Sequence, residues 1–212
     1  DKYLLPGFET GMGAMASING GWVLGTDDLE MAYRIPLEDT RCIAFIPDVP
    51  TLEDEFTGKD TAAASEAELL LRRGRYLDSL QSGVKSQILF CDMLPAMIKG
   101  DLKTIGDSMF DLSYLGSKRA ECETHGSFGA PVYGYLSALR EIGVEITGMS
   151  SVGPTLFALT RNDETYNRVI KYLKSKGIAD SRIIETAVDN VGARIKENGI
   201  ETPFLTDGWL QG

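Results

Sequence analysis

The segment "GMSSVGPTLFALT", residues 148–160, decides how the rest of the chain is read. Gly148, Gly153 and Pro154 mark a turn, because glycine reaches backbone angles closed to other residues and proline stops a helix. After Thr155 the chain runs into the apolar stretch "LFAL", which reads as a strand. Successive N–H groups in such a turn form a concave seat for an anion, and Ser150, Ser151 and Thr155 add hydroxyl donors. Phosphate is the expected guest. The alternative is a hairpin whose glycines serve turn geometry alone.

Outward from this turn the pattern alternates. "VEIT" precedes it as a strand; a helix from about Asp163 to Lys176, closed by Gly177, and a last strand near "RIIETAV" follow it. Upstream, Pro131 opens a helix carrying Val132, Leu136 and Leu139 that ends at Gly143. Leu102, Ile105, Met109 and Leu112 repeat at helical spacing after a cap at Asp101, and Leu77, Leu80, Val84, Ile88 and Cys91 are expected to share one helical face. "GGWVLG" (20–25), "LEMAYRI" (29–35) and "RCIAFIPD" (41–48) read as strands, with 49–63, including the acidic run 52–60, as a loop. From residue 41 the order is strand, helices, strand, tight turn, strand, helix, strand. Two β-α-β halves joined by a hairpin describe an α+β fold, a ferredoxin-like α/β sandwich.

Composition narrows the chemistry. The chain has 212 residues, 43% of them apolar, with 21 basic against 31 acidic side chains and a net charge of −10. That balance disfavours nucleic acid or an anionic membrane as a partner, so phosphate must be met locally. Cys42, Cys91 and Cys122 show no CxxC spacing and read as reduced core thiols. No apolar run has the length of a membrane span and no signal peptide is evident, so a cytoplasmic protein is expected. The chain opens at Asp1 without a methionine, as a fragment or processed chain does.

A second glycine cluster, "ETGMGAMASINGG" (9–21), places Thr10, Gly11 and Gly13 in a small-residue turn before Gly20 and Gly21. Together the two clusters resemble the GHMP kinase superfamily of small-molecule kinases. "SSVGPTLFAL" (150–159) is similar to the "SGAGPTLLAL" loop of its homoserine kinases, and "FIPDV" (45–49) and "LPAMIKGDLKTIGDSM" (94–109) resemble the matching C-terminal domain. Two departures stand out. Met12 and Gly13 occupy the place where the kinases carry an acidic residue, the candidate base for phosphoryl transfer, and Ser151 stands where they carry glycine. Both features resemble the archaeal branch of β-ribofuranosylaminobenzene 5′-phosphate synthases, with their "SGIG…GG" and "GQSSWGPT" patterns; Val152 here replaces the aromatic residue and Met149 the glutamine.

The resemblance implies residues 1–36 as the end of a β-rich N-terminal domain and 37–212 as the C-terminal ferredoxin-like domain. It implies a transferase joining phosphoribosyl pyrophosphate to 4-aminobenzoate with loss of pyrophosphate and carbon dioxide, in methanopterin biosynthesis. The alternatives are an ATP-dependent kinase of the superfamily and a ligand-binding relative without catalysis. Holding a polyanion in a water-poor site calls for Mg²⁺ and close backbone approach. Thr10, Gly11, Gly13, Gly148, Ser150, Ser151, Gly153 and Thr155 are the expected phosphate and substrate ligands, and Glu9 the expected catalytic or metal-binding carboxylate. Arg34, Arg41, Arg119 and Arg161 are candidate anion partners, and His125 a candidate substrate contact in a loop. A small phosphorylated molecule is the expected partner, with a homodimer as the expected assembly. The "GLGSS"-type phosphate loop of the superfamily's N-terminal domain occurs nowhere in the sequence.

Overall fold

A computed structural model describes residues 12–25, 32–50 and 62–203. In chain order its helices and strands are α1 (Met12–Asn19), β1 (Trp22–Gly25), β2 (Ala32–Ile35), β3 (Arg41–Phe45), α2 (Ala62–Gln87), a π-helical stretch (Ile88–Met93), α3 (Leu94–Lys99), α4 (Leu102–Leu112), α5 (Gly116–Glu123), α6 (Ala130–Ile142), β4 (Ile146–Met149), β5 (Leu156–Thr160), α7 (Asp163–Ser175), β6 (Ile183–Ala187), β7 (Arg194–Glu197) and β8 (Ile200–Pro203). Contacts divide the chain into one unit, Arg41–Thr186, and another made of Asp1–Thr40 with Ala187–Gly212. The sequence reading places its boundary at 36/37; the contacts place it at 40/41 and group the C-terminal segment with the smaller unit.

In the smaller unit β1 and β2 pair antiparallel, Trp22 opposite Ile35, and β7 pairs β8, Glu197 opposite Ile200. Asn198 and Gly199 between the latter strands both have positive φ, the requirement of a two-residue hairpin turn. Asn190 ties the segments: its Oδ1 accepts from the Leu37 amide at 2.8 Å and its Nδ2 donates to the Leu37 carbonyl at 3.2 Å. The expected small-residue turn around Gly13 is instead helix α1. Met12, Ala14, Met15 and Ala16 are good helix formers and outweigh one glycine. Gly20, with φ of 70°, ends the helix by donating to the Ala16 carbonyl at 2.8 Å.

The larger unit holds a four-stranded sheet in the order β4-β5-β3-β6, with β5 antiparallel to both β4 and β3. Counted from β3, the strands run second, third, first, fourth, which is the ferredoxin-like α+β arrangement. Ile43 and Phe45 from β3, Leu156 from β5, Val132, Leu136 and Leu139 from α6, and Val169 and Leu173 from α7 form one fully buried cluster. Each such side chain stabilises the fold by roughly 1.5–3 kcal/mol. Helix ends follow the sequence signals: Asp101 Oδ1 accepts from the Thr104 amide at 3.1 Å, Asn162 Oδ1 from the Thr165 amide at 2.8 Å, and Gly143 closes α6 with φ of 103°. Helix α4 crosses β4 at Gly106, where a Cβ would come within 1.7 Å of the Glu145 carbonyl oxygen.

Helix α2 departs from expectation. Its inner face is small and polar: Gly74 lies against Ser117, Gln81 Oε1 accepts from the Gly116 amide at 2.7 Å, and Asp78 Oδ1 from the Ser117 amide at 3.1 Å. Those acceptors cap the open amides at the start of α5. Of the positions expected to share one face, Leu80 (64%), Val84 (52%) and Cys91 are exposed, while Leu77 and Ile88 are half-buried. Pro95, without an N–H and crowding the preceding turn, accounts for the widened helix over Ile88–Met93.

Candidate functional site

The loop 150–155 joins β4 to β5, where Met149 pairs with Leu156. Ser150 donates its amide to the Thr155 carbonyl at 2.9 Å, and Gly153 donates to the Ser150 carbonyl at 2.9 Å. These bonds close a compact turn, and they take up two of the amides expected to meet a phosphate. The amides of Ser151 and Val152 and the hydroxyls of the exposed Ser150 and Ser151 make no hydrogen bond among the described residues. Ser151 and Gly153 both have positive φ, 50° and 83°, so the loop's outline depends on backbone angles that favour glycine. Gly148 belongs to the buried strand rather than the turn; a Cβ there would come within 2.9 Å of the Phe157 ring.

Behind the loop stands His125, 4% exposed. Its Nε2 lies 2.7 Å from the Val152 carbonyl oxygen and its Nδ1 3.2 Å from the Pro50 carbonyl oxygen. The ring therefore joins the glycine loop to the segment after β3. A Cβ on Gly153 would fall 2.5 Å from Nε2 and 2.5 Å from Met149 Sδ, so glycine is required where the loop meets the ring. The sequence offers His125 as a candidate substrate contact in a loop; in the structure its ring is buried and braces the glycine loop. After the ring the chain passes close to Pro50 at Gly126, where a Cβ would lie 2.9 Å from the Pro50 ring, and turns at Ser127 and Phe128, both with positive φ.

A cation also reaches the loop. Lys118 on α5 donates from Nζ to the Ser151 carbonyl and pairs with Glu121 Oε2 at 2.7 Å. None of the four expected arginines occupies that place. Arg34 donates to the carbonyls of Gly20 and Asn190, Arg41 pairs with Asp163 and lies 3.3 Å above the Tyr166 ring, and Arg119 pairs with Glu123. The Arg161 amide donates to Glu145. Nothing in the spacing marks Lys118, which stands 33 positions before Ser151. Nearby, burial opposes ionisation of Glu123, and Arg119 and Arg73 outweigh it and hold its carboxyl below the usual range. Burial pushes the Cys122 thiol up to about 11, so it is core filler and not a nucleophile.

Glu9, Thr10 and Gly11 lie outside the described residues, and Gly13 is exposed on α1. Among the described residues no group of three or more histidine, cysteine or carboxylate side chains is placed to hold a metal ion, and Glu9, the expected metal-binding carboxylate, lies outside them. A cavity of about 530 Å³ lies elsewhere, between α4, α6 and the turn before β4, and is lined by Lys103, Asp107, Arg140 and Glu145 rather than by the glycine loop. No helix among the described residues is long and apolar enough to cross a membrane.

The family model for the GHMP kinases C-terminal domain matches residues 93–179, which run from the π-helical stretch through α7 and include both His125 and the loop. The larger unit carries the GHMP kinase C-terminal fold. Mevalonate diphosphate decarboxylase from Staphylococcus aureus shares that fold, with a TM-score of 0.57 and 17% identity over 84% of this chain and 55% of its own. Two curated relatives are named β-ribofuranosylphenol 5′-phosphate synthase. The Archaeoglobus fulgidus protein is 31% identical over 111 residues, 51% of this chain and 33% of its own length. The Methanothermobacter thermautotrophicus protein is 30% identical over 108 residues, 51% of this chain and 31% of its own. The chain thus spans about a third of the length of these enzymes.

Proposed function

We propose that this chain is part of a synthase that condenses phosphoribosyl pyrophosphate with 4-aminobenzoate or its phenolic counterpart. The bond from ribose C1 to pyrophosphate breaks, a bond forms to the ring carbon bearing the carboxylate, and carbon dioxide leaves with the ring recovering its electrons. The loop 150–155 takes a phosphate of the donor: Ser150 and Ser151 present hydroxyls, the amides of Ser151 and Val152 point no bond elsewhere, and Lys118 adds positive charge behind them. That set of unused donors on a braced turn is the observation that carries the reading, and the two relatives named as synthases support its direction.

The test uses the full-length protein with carboxyl-labelled 4-aminobenzoate, and 4-hydroxybenzoate beside it because the relatives' product is named as a phenol. Release of labelled carbon dioxide and pyrophosphate without ATP is expected. Consumption of ATP with a hydroxylated substrate and no decarboxylation would assign a kinase instead.

A further inference from the structure

The two loop amides that make no hydrogen bond among the described residues, those of Ser151 and Val152, differ in what stands behind them. A trans peptide is planar, with its C=O and N–H pointing opposite ways, so a donor on the oxygen draws charge from the amide at the other end. The Val152 amide shares its peptide with the Ser151 carbonyl, and that carbonyl accepts from Lys118 Nζ. A cation therefore backs this amide through one peptide unit. The Ser151 amide shares its peptide with the Ser150 carbonyl, which accepts from the Gly153 amide at 2.9 Å. Only a neutral backbone donor backs that one.

We infer that Lys118 is a positioning residue for the anion, acting through the Ser151–Val152 peptide on the Val152 amide rather than by touching the ligand. The inference rests on the loop 150–155 as the phosphate site. Closure of the turn does not call for the lysine, because the bonds from Ser150 to the Thr155 carbonyl and from Gly153 to the Ser150 carbonyl lie within the loop itself. Glu121 Oε2 accepts from the same Nζ at 2.7 Å, which fixes the direction of Lys118 and offsets part of its charge. The pair thus sets how strongly the Val152 amide is polarised.

The test measures phosphoribosyl pyrophosphate affinity of the full-length protein by calorimetry, beside the amide shifts of Ser151 and Val152 in the ligand-free state by NMR. Lys118→Met should weaken binding roughly tenfold at a nearly unchanged melting temperature. Its Val152 amide should move upfield while that of Ser151 stays close to wild type. Lys118→Arg keeps a cationic donor and should restore most of the affinity. Glu121→Gln leaves Lys118 an acceptor and removes the offsetting charge, so it should tighten binding a few-fold; weaker binding in that variant would overturn the inference. Lost affinity in Lys118→Met with the Val152 amide unmoved would make the lysine a direct ligand and overturn it too. Unchanged affinity in Lys118→Met would remove the lysine's part and leave the loop as the phosphate site, whereas a wild type that binds no phosphoribosyl pyrophosphate would remove both.

Discussion

The imidazole Nε2 of His125 lies 2.7 Å from the carbonyl oxygen of Val152, while Nδ1 lies 3.2 Å from that of Pro50. Carbonyl oxygens only accept, so both contacts are hydrogen bonds together only when both ring nitrogens carry a proton, and a neutral ring keeps one of them. Replacing His125 by Phe leaves both carbonyls without this donor in a buried place and should destabilise the protein by about 1–3 kcal/mol in urea unfolding. Affinity for phosphoribosyl pyrophosphate should fall in the same variant, because the loop loses its brace. An unaltered urea midpoint would show that the ring does not hold the loop.

Gly153 makes a second, sharper test of that contact. Ala there places a methyl group 2.5 Å from His125 Nε2 and forces a side chain onto a φ of 83°. The strain and displacement should cost about 1–3 kcal/mol, read as a lowered melting temperature. Ala at Gly177, also at positive φ but with nothing within 4 Å, should show the backbone part alone and a smaller loss.

Cys122 is fully buried in the cluster beneath the loop, and burial lifts its thiol to about 11. Native protein treated with iodoacetamide near pH 8 should therefore remain unmodified at Cys122, while unfolded protein reacts. Peptide mass spectrometry reads the difference, and native alkylation at Cys122 would contradict the placement.

In the smaller unit Arg194 grips both carboxylate oxygens of Asp189, with the amides of Val191 and Gly192 adding bonds to one of them. The Arg194 hydrogen bonds come first among the causes that hold its pKa at about 2. Its folded value lies below the unfolded value of about 3.9. The stabilisation is thus full above that value and is lost as pH falls from there through about 2. Carbon-detected NMR titration should place Asp189 at the low end and return it toward the ordinary range in Arg194→Ala.

The elements that sequence conveyed well are those whose ends are set by local chemistry. The Asp101 and Asn162 caps, the Gly143 stop and the alternating strand after Thr155 all sit where turn and capping rules put them. The misread elements owe their structure to long-range contacts. Apolar spacing on α2 pointed to a core, but this helix packs through Gly74 and through Asp78 and Gln81 bonded to another helix's amides, a face that hydrophobic periodicity does not register. His125 and Lys118 share that property: each acts on a loop more than 25 positions away, His125 on Val152 at a separation of 27 and Lys118 on Ser151 at 33. Only the fold brings them to it.

The measurement closest to the central claim compares wild type with the Ser150→Ala, Ser151→Ala double variant for phosphoribosyl pyrophosphate affinity and melting temperature. Neither hydroxyl bonds to the protein among the described residues, so removing both should leave the melting temperature unchanged. Two hydrogen bonds to a charged phosphate are worth roughly 1.5–3 kcal/mol each, so affinity should fall on the order of a hundredfold or more. Unchanged affinity with a lowered melting temperature would mean that the serines serve the turn and that the loop is not the phosphate site.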